Sequence, residues 1–341
     1  MDLIGARADA GAGLIEQLLG SEDPTLAYRA RVLAGSPVEE APETLELRAG
    51  IAHSPRAAAL LSHRDRDGTI RLHPYAKWQG PHWTLVSLAL LDYPPGDLSL
   101  VPLREQVYGW LLSRQHLRPS STVTYADQPD RVRRCASQEG NAIWYSLRLG
   151  LEDECTETLV DRLIAWQWPD GGWNCDKRPQ ARTASFQETA IPLRALWAFG
   201  RRYGHRGALD AAGRAAECLL SRRLLWRRRD GALIRPDWGG GVDRIHFPIQ
   251  FYDVLFALQA LADVGSIGDP RCADAIQLLE SKQLADGGFP REEPTCVTRA
   301  RIVSRGSWAD WGSAGRRRSN PFVSLAALSV LVARRQASLA V

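Results

Sequence analysis

Strand signals are nearly absent from the 341 residues, so the sequence reads against sandwiches, barrels and wound sheets. Six cysteines lie far apart with no C-x-x-C pair, which predicts reduced thiols rather than a disulfide framework. No apolar run approaches a membrane span, and the start MDLIGARADAGAGL has neither a basic region nor an apolar core. The expectation is a cytoplasmic protein. Lysine is scarce: all but three of the 43 basic residues are arginine, and the net charge is only +4. With no long basic stripe or binding motif, nucleic acid is not an expected partner. Arginine does cluster at Arg131-Val132-Arg133-Arg134, Arg227-Arg228-Arg229 and Arg316-Arg317-Arg318. Such clusters are solvated faces or seats for a diphosphate or an anionic lipid surface, which keeps peripheral membrane contact open.

What the chain has is a corner phrase repeated with little change. Gln167-Trp168-Pro169-Asp170-Gly171-Gly172-Trp173 and Gln283-Leu284-Ala285-Asp286-Gly287-Gly288-Phe289 both read Q-x-x-D-G-G-aromatic. Weaker copies begin at Arg64 and Arg227, and a worn one at Gln115 carries Arg118 in the aspartate slot. Taking that slot in each copy, positions 67, 118, 170, 230 and 286 differ by 51, 52, 60 and 56 residues, the spacing of a repeated supersecondary unit. Hydrophobic periodicity fills the unit. Leu159, Leu163 and Trp166 recur at helical spacing with charge on the other side, and Cys272, Ile276, Leu279 and Gln283 repeat the pattern behind an Asp269-Pro270 cap. Other stretches, such as Trp83 to Leu91, are apolar all round and predict buried helices. Buried helices are expected near 82–92, 138–150, 185–200, 249–264 and 320–334, with half-exposed partners near 101–115, 154–168, 208–226 and 270–284.

The Q-x-x-D-G-G-W phrases resemble the repeat shared by squalene and oxidosqualene cyclases and by protein prenyltransferase β subunits. The resemblance runs from about Ser54 to Gln336. It implies an all-α chain folded as an α/α toroid, a closed ring of inner and outer helices in about five to six hairpin repeats; an open superhelix would also fit the pattern. Residues 1–53 are expected as a helical extension packed on the ring formed by 54–341. In that family the glutamine caps a helix end and the aromatic packs on the next unit, so Trp173 and Phe289 are expected as staples.

Inner helices of a toroid start at one end, so their first turns should converge on one rim. Glu188, Asp253 and Asn320 each stand five residues before the first leucine of an L-x-A-L phrase, and His82 and Asn141 fall within one position of the same slot. Helix capping is the competing role, since Ser185-x-x-Glu188 has the spacing of a capping box. The corners feeding these helices add Cys135, Glu139, Cys175, Asp176, His246, Tyr252 and Trp311. The cyclase Asp-x-Asp-Asp motif is missing, as is the Asp-Asp-x-x-Asp of ionising terpene synthases. An acid would have to be rebuilt, with Asp253 first, beside Tyr252 and near His246 and tuned by Asp176 or Glu188; Glu139 is a further catalytic candidate. His82, Trp83, Asn141, Trp144, Trp311 and Asn320 are the expected substrate-binding residues for an apolar, isoprenoid-like chain. A zinc site from Cys175, Asp176 and His246 with Cys135 as a fourth ligand is the alternative, although Arg182 and Ala184 occupy positions where the prenyltransferase zinc pattern would continue. Two further readings stay open: Cys135-Ala136-Ser137-Gln138 has the spacing of a thioester motif, and a lipid-binding or scaffold toroid needs no catalytic signature.

Overall fold

The computed structural model describes residues 3–35, 41–118, 121–235, 240–248 and 252–339, with side chains from residue 11 onward. It is mostly helical, about 52%. In chain order the helices are α1 (Leu3–Leu19), α2 (Pro24–Leu33), α3 (Pro42–Gly50), α4 (Pro55–Leu61), α5 (Pro81–Leu90), α6 (Val101–Leu111) and α7 (Ala136–Leu149). They continue with α8 (Glu154–Trp166), α9 (Phe186–Tyr203), α10 (Arg206–Leu220), α11 (Val254–Asp263), α12 (Ala273–Glu280) and α13 (Pro321–Leu339). Each of the nine expected helices is present within a few residues of its expected span; the start expected at 249–251 lies outside the described residues. Among the described residues the few strands form three short pairs: β1 (Val123–Tyr125) antiparallel to β2 (Gln128–Arg133), β3 (His246–Phe247) parallel to β4 (Glu293–Pro294), and β5 (Val297–Thr298) parallel to β6 (Gly306–Ser307).

The chain divides into two compact units, one from residues 1–62, 90–94 and 223–341, the other from 63–89 and 95–222. In the second unit α7 packs along α9, and the half-exposed α8 and α10 flank them. Gly140 makes the α7–α9 contact close: a Cβ there would lie 3.0 Å from both Ile191 and the nitrogen of Pro192, the proline inside α9. In the first unit α13 packs on α11, α2 and α1. Asp23 and Ser54 cap α2 and α4 in front of first-turn prolines Pro24 and Pro55. The N-terminal region is helical, as expected, and opens with the 17-residue α1. One correction concerns apolar length: α13, at 19 residues, is long and apolar enough to cross a membrane, but half of its most apolar window is buried inside the fold.

The repeated corners share one hydrogen-bond scheme. Trp168 N donates to Gly172 O at 2.8 Å, Leu284 N to Gly288 O at 2.9 Å, and in the weak copy Asp65 N to Thr69 O at 2.8 Å. The first glycine lies at φ +88° (Gly171), +80° (Gly287) and +81° (Gly68), a region only glycine enters freely. Gln167 and Gln283 each donate to the carbonyl of that glycine, at 2.7 and 3.0 Å. The aromatic's amide is received by the next buried helix, Trp173 N by Thr189 Oγ1 at 3.3 Å and Phe289 N by Ser324 Oγ at 2.8 Å. Both rings are buried, and Trp173 Nε1 also donates to Leu163 O at 2.9 Å. The Arg227 copy closes one residue differently, with Arg227 N on Ala232 O at 2.8 Å.

Candidate functional site

The chemistry concentrates in the second unit, at the N-terminus of α7. Cys135 is the N-cap of that helix and its thiol makes no capping bond. Cys175 follows the second corner. An isolated parallel bridge between Arg133 and Asn174 draws the two segments side by side. Glu188, on the first turn of α9, completes the group: a ligand atom from each of Cys135, Cys175 and Glu188 lies within 4.8 Å of the other two. The Cys175 thiol stands 3.6 Å from Glu188 Oε1, while Oε2 accepts from the Ser137 amide at 2.8 Å. Ser185 makes no capping bond, so the expected Ser185–Glu188 box does not form; the glutamate reaches the amides of the neighbouring helix instead. Burial raises the Glu188 pKa above the usual carboxylate value, against the hydrogen bonds from Ser137 that favour its anion. The Cys175 pKa is raised by its contact with the Cys135 thiol, then by burial and by the Glu188 charge.

A pocket of about 630 Å³ opens over both sulfurs, lined by His73, Trp110, His116, Gln138 and Lys177 among others. His116 is held firmly at its backbone: its amide donates to Ser113 Oγ at 3.1 Å, and its carbonyl accepts from Arg134 and Ser121. Its Nε2 lies 3.4 Å from Oε1 of the buried Glu139, which has Arg162 at 3.7 Å. This is an electrostatic contact rather than an aligned hydrogen bond. Sequence reading missed His116, which sits in the worn corner after Gln115. Tyr75 packs on Trp110 at 5.6 Å, and burial raises its pKa, with Glu188 and the two cysteines adding to the effect.

Other expected residues have partners of their own. Asp176 turns away from the thiols, its carboxylate paired with Arg178 at 2.7 Å and its pKa lowered by that hydrogen bond. Glu188, rather than Asp176, is the carboxylate grouped with the two thiols. Asp253 and His246 belong to the first unit, where Asp253 caps α11 by accepting from Phe256 N at 2.8 Å and from His246 N at 2.6 Å. His246 Nδ1 is 3.6 Å from the same carboxylate, and Tyr252 donates to Leu224 O at 2.9 Å. Asn320 caps α13 through Val323 N at 3.2 Å and ties back to Trp311 O at 2.8 Å. Trp311 is buried against Phe247 and Phe322.

In the second unit, His82 is fully buried between Tyr75, Trp83 and Tyr145, with no hydrogen bond at either ring nitrogen. Trp83 is buried beside Trp78 at 4.5 Å. Trp144 lies under Arg148 and Arg194, and Asn141 is half-buried on α7. None of these lines the pocket. The Arg131–Arg134 cluster is not a solvated face: Arg133 is buried, donating to Asp176 O, Ala181 O and Gln128 Oε1, and Arg134 stacks on Trp166. Both guanidinium groups brace the corner that carries Cys135.

The donor set suits zinc. Tetrahedral zinc with sulfur ligands at about 2.3 Å and oxygen at about 2.0 Å needs ligand atoms roughly 3.5–3.8 Å apart, and the 3.6 Å between Cys175 Sγ and Glu188 Oε1 lies in that range. The Ser137 amide on the second carboxylate oxygen is the outer support such ligands require. No protein-family model matches this chain, and no curated protein is similar to it in sequence.

Proposed function

We propose that this chain is a metal-assisted enzyme, in which Cys135, Cys175 and Glu188 hold zinc at the edge of the pocket and leave one coordination position for substrate. The observation that carries the reading is the convergence of two thiols and a buried carboxylate within 4.8 Å, drawn from three separate segments. Zinc held there supplies Lewis-acid polarisation of a bound group. The chain's own residues supply the rest. Ser137 N fixes Glu188 so that Oε1 faces the sulfurs. His116, backed by Glu139, is the proton acceptor of the pocket, its Nε2 side turned to the carboxylate and Nδ1 left to accept. Trp110, on the pocket lining with Tyr75 packed on it, supplies aromatic surface against an apolar portion of the substrate.

The repeated corners favour an α/α toroid of the cyclase and prenyltransferase kind as the scaffold, with an isoprenoid-like chain as the substrate class. Asp253 is better suited to helix capping than to proton donation, because both its oxygens accept main-chain amides. The test is conversion of a panel of polyprenyl diphosphates by zinc-loaded protein, by chelator-stripped protein and by Glu188→Gln. Stripping the metal or removing the carboxylate should lower conversion by about two to four orders of magnitude, the range for loss of a principal catalytic group. Conversion unaffected by the chelator would sink the metal reading, and no conversion by the zinc-loaded wild type would sink the substrate class.

A further inference from the structure

The same two sulfurs carry a second chemistry. We propose that Cys135 and Cys175 form a thiol–disulfide exchange site, oxidised to an internal disulfide by low-molecular-weight disulfides such as oxidised glutathione, and that this disulfide and the metal exclude each other. The metal half of this proposal rests on the function proposed above; the disulfide half rests only on the two sulfurs.

Six free cysteines are present, and among the described residues this pair alone converges with a third ligand-bearing group. The two residues sit in segments joined by the Arg133–Asn174 bridge, so neither has to travel along a flexible loop to meet the other. Bond formation needs the sulfurs to close from their present separation, within 4.8 Å, to about 2.0 Å. Both cysteines line the pocket. The partners of the neighbouring chain segments are fixed: Arg133 is tied into the corner by three hydrogen bonds.

The exchange balances in two steps. One cysteine thiolate attacks glutathione disulfide, forming a protein–glutathione mixed disulfide and releasing one glutathione, which takes up the proton given by the thiol. The second cysteine attacks the protein sulfur of that mixed disulfide, forming Cys135–Cys175 and releasing the second glutathione. Two thiols are oxidised and one glutathione disulfide is reduced to two thiols. A sulfur in the disulfide no longer offers the thiolate that binds zinc, so each internal bond formed removes two of three ligands.

The pair can be read directly, since trypsin cuts after Arg134, Arg148, Arg162 and Lys177 and so puts the two cysteines on separate peptides, 135–148 and 163–177. Wild-type protein is treated with oxidised glutathione, both zinc-free and zinc-loaded, then alkylated and mapped without reduction while released zinc is followed with a chelating dye. The proposal expects the 135–148 and 163–177 peptides crosslinked, at least about tenfold over their glutathione adducts because the second step is intramolecular. It also expects one zinc released per crosslink, with both changes reversed by dithiothreitol. Persistent glutathione adducts on both peptides, or crosslinks to Cys155 or Cys218 forming first, would overturn it. A crosslink in protein that binds no zinc would uphold the exchange site and defeat the metal reading. Stoichiometric zinc with no crosslink would do the reverse.

Discussion

His82 makes the sharpest physical prediction. The imidazole is fully buried among Tyr75, Trp83 and Tyr145, and burial pushes its pKa down from 6.5 to about 3. The group is therefore neutral in the folded protein and protonates freely only when the chain unfolds. A depressed pKa of this kind gives stability that is complete above the unfolded value of 6.5 and is lost as pH falls toward 3. Well inside those limits the unfolded state binds about one more proton, so stability falls by about 1.4 kcal/mol per pH unit, or roughly 2.3 kcal/mol from pH 6.5 to 4.5, the unfolded imidazole being half protonated at pH 6.5. His82→Phe fills the aromatic surroundings without a titrating group. Denaturant unfolding followed by tryptophan fluorescence suits the measurement, since Trp83 lies 5.4 Å from the ring. Other groups titrate in both proteins, so the relevant quantity is wild type minus variant at each pH. That difference should level off above about pH 7.5 and approach a change of about 1.4 kcal/mol per unit below about pH 5.5. A difference that stays flat down to pH 4.5 would refute the burial argument.

Gly172→Ala should destabilise by about 2–4 kcal/mol, from overpacking and the loss of the Trp173 amide bond, because the new methyl would sit 2.3 Å from Thr189 Oγ1 and 2.6 Å from Ala184 Cβ. Gly213→Ala on α10, with nothing within 4 Å, should instead gain about 0.5–1 kcal/mol; thermal melts of the pair give the comparison. Asp253→Asn should cost about 1–3 kcal/mol by leaving one of two main-chain amides poorly paired, while metal content stays at the wild-type level. Arg133→Lys should destabilise by a similar amount, since an ammonium cannot reproduce the guanidinium's three bonds together with its stacking on Tyr125 and Trp168; equilibrium unfolding reads it.

The helices were legible because their signals are local. Leu159, Leu163 and Trp166 mark a face by spacing alone, and the corner phrase carries its own hydrogen-bond scheme even in the degenerate copy at Arg64, where Asp65 and Gly68 still make the turn. Which polar side chains meet was not legible, because it depends on contacts between distant segments. Glu188 read as a capping residue from its distance to Ser185, yet the amide it satisfies is that of Ser137 on another helix. Asp176 read as a ligand because it adjoins Cys175; the nearer Arg178 takes its charge. Asp253 and Asn320 do share a helix-start slot with Glu188, and there the slot holds caps, their side chains meeting the first-turn amides of α11 and α13. His116 gave no periodic signal at all, since it lies in a turn held by Ser113, Ser121 and Arg134.

The central claim, that Cys135, Cys175 and Glu188 form a metal centre, is tested most directly by cobalt substitution of the purified protein with metal content measured alongside. The account predicts one metal per chain and a near-ultraviolet thiolate-to-cobalt absorption that weakens in Cys135→Ser and in Cys175→Ser and vanishes when both are changed. Protein that retains no metal, or a double variant that holds it undiminished, would contradict it.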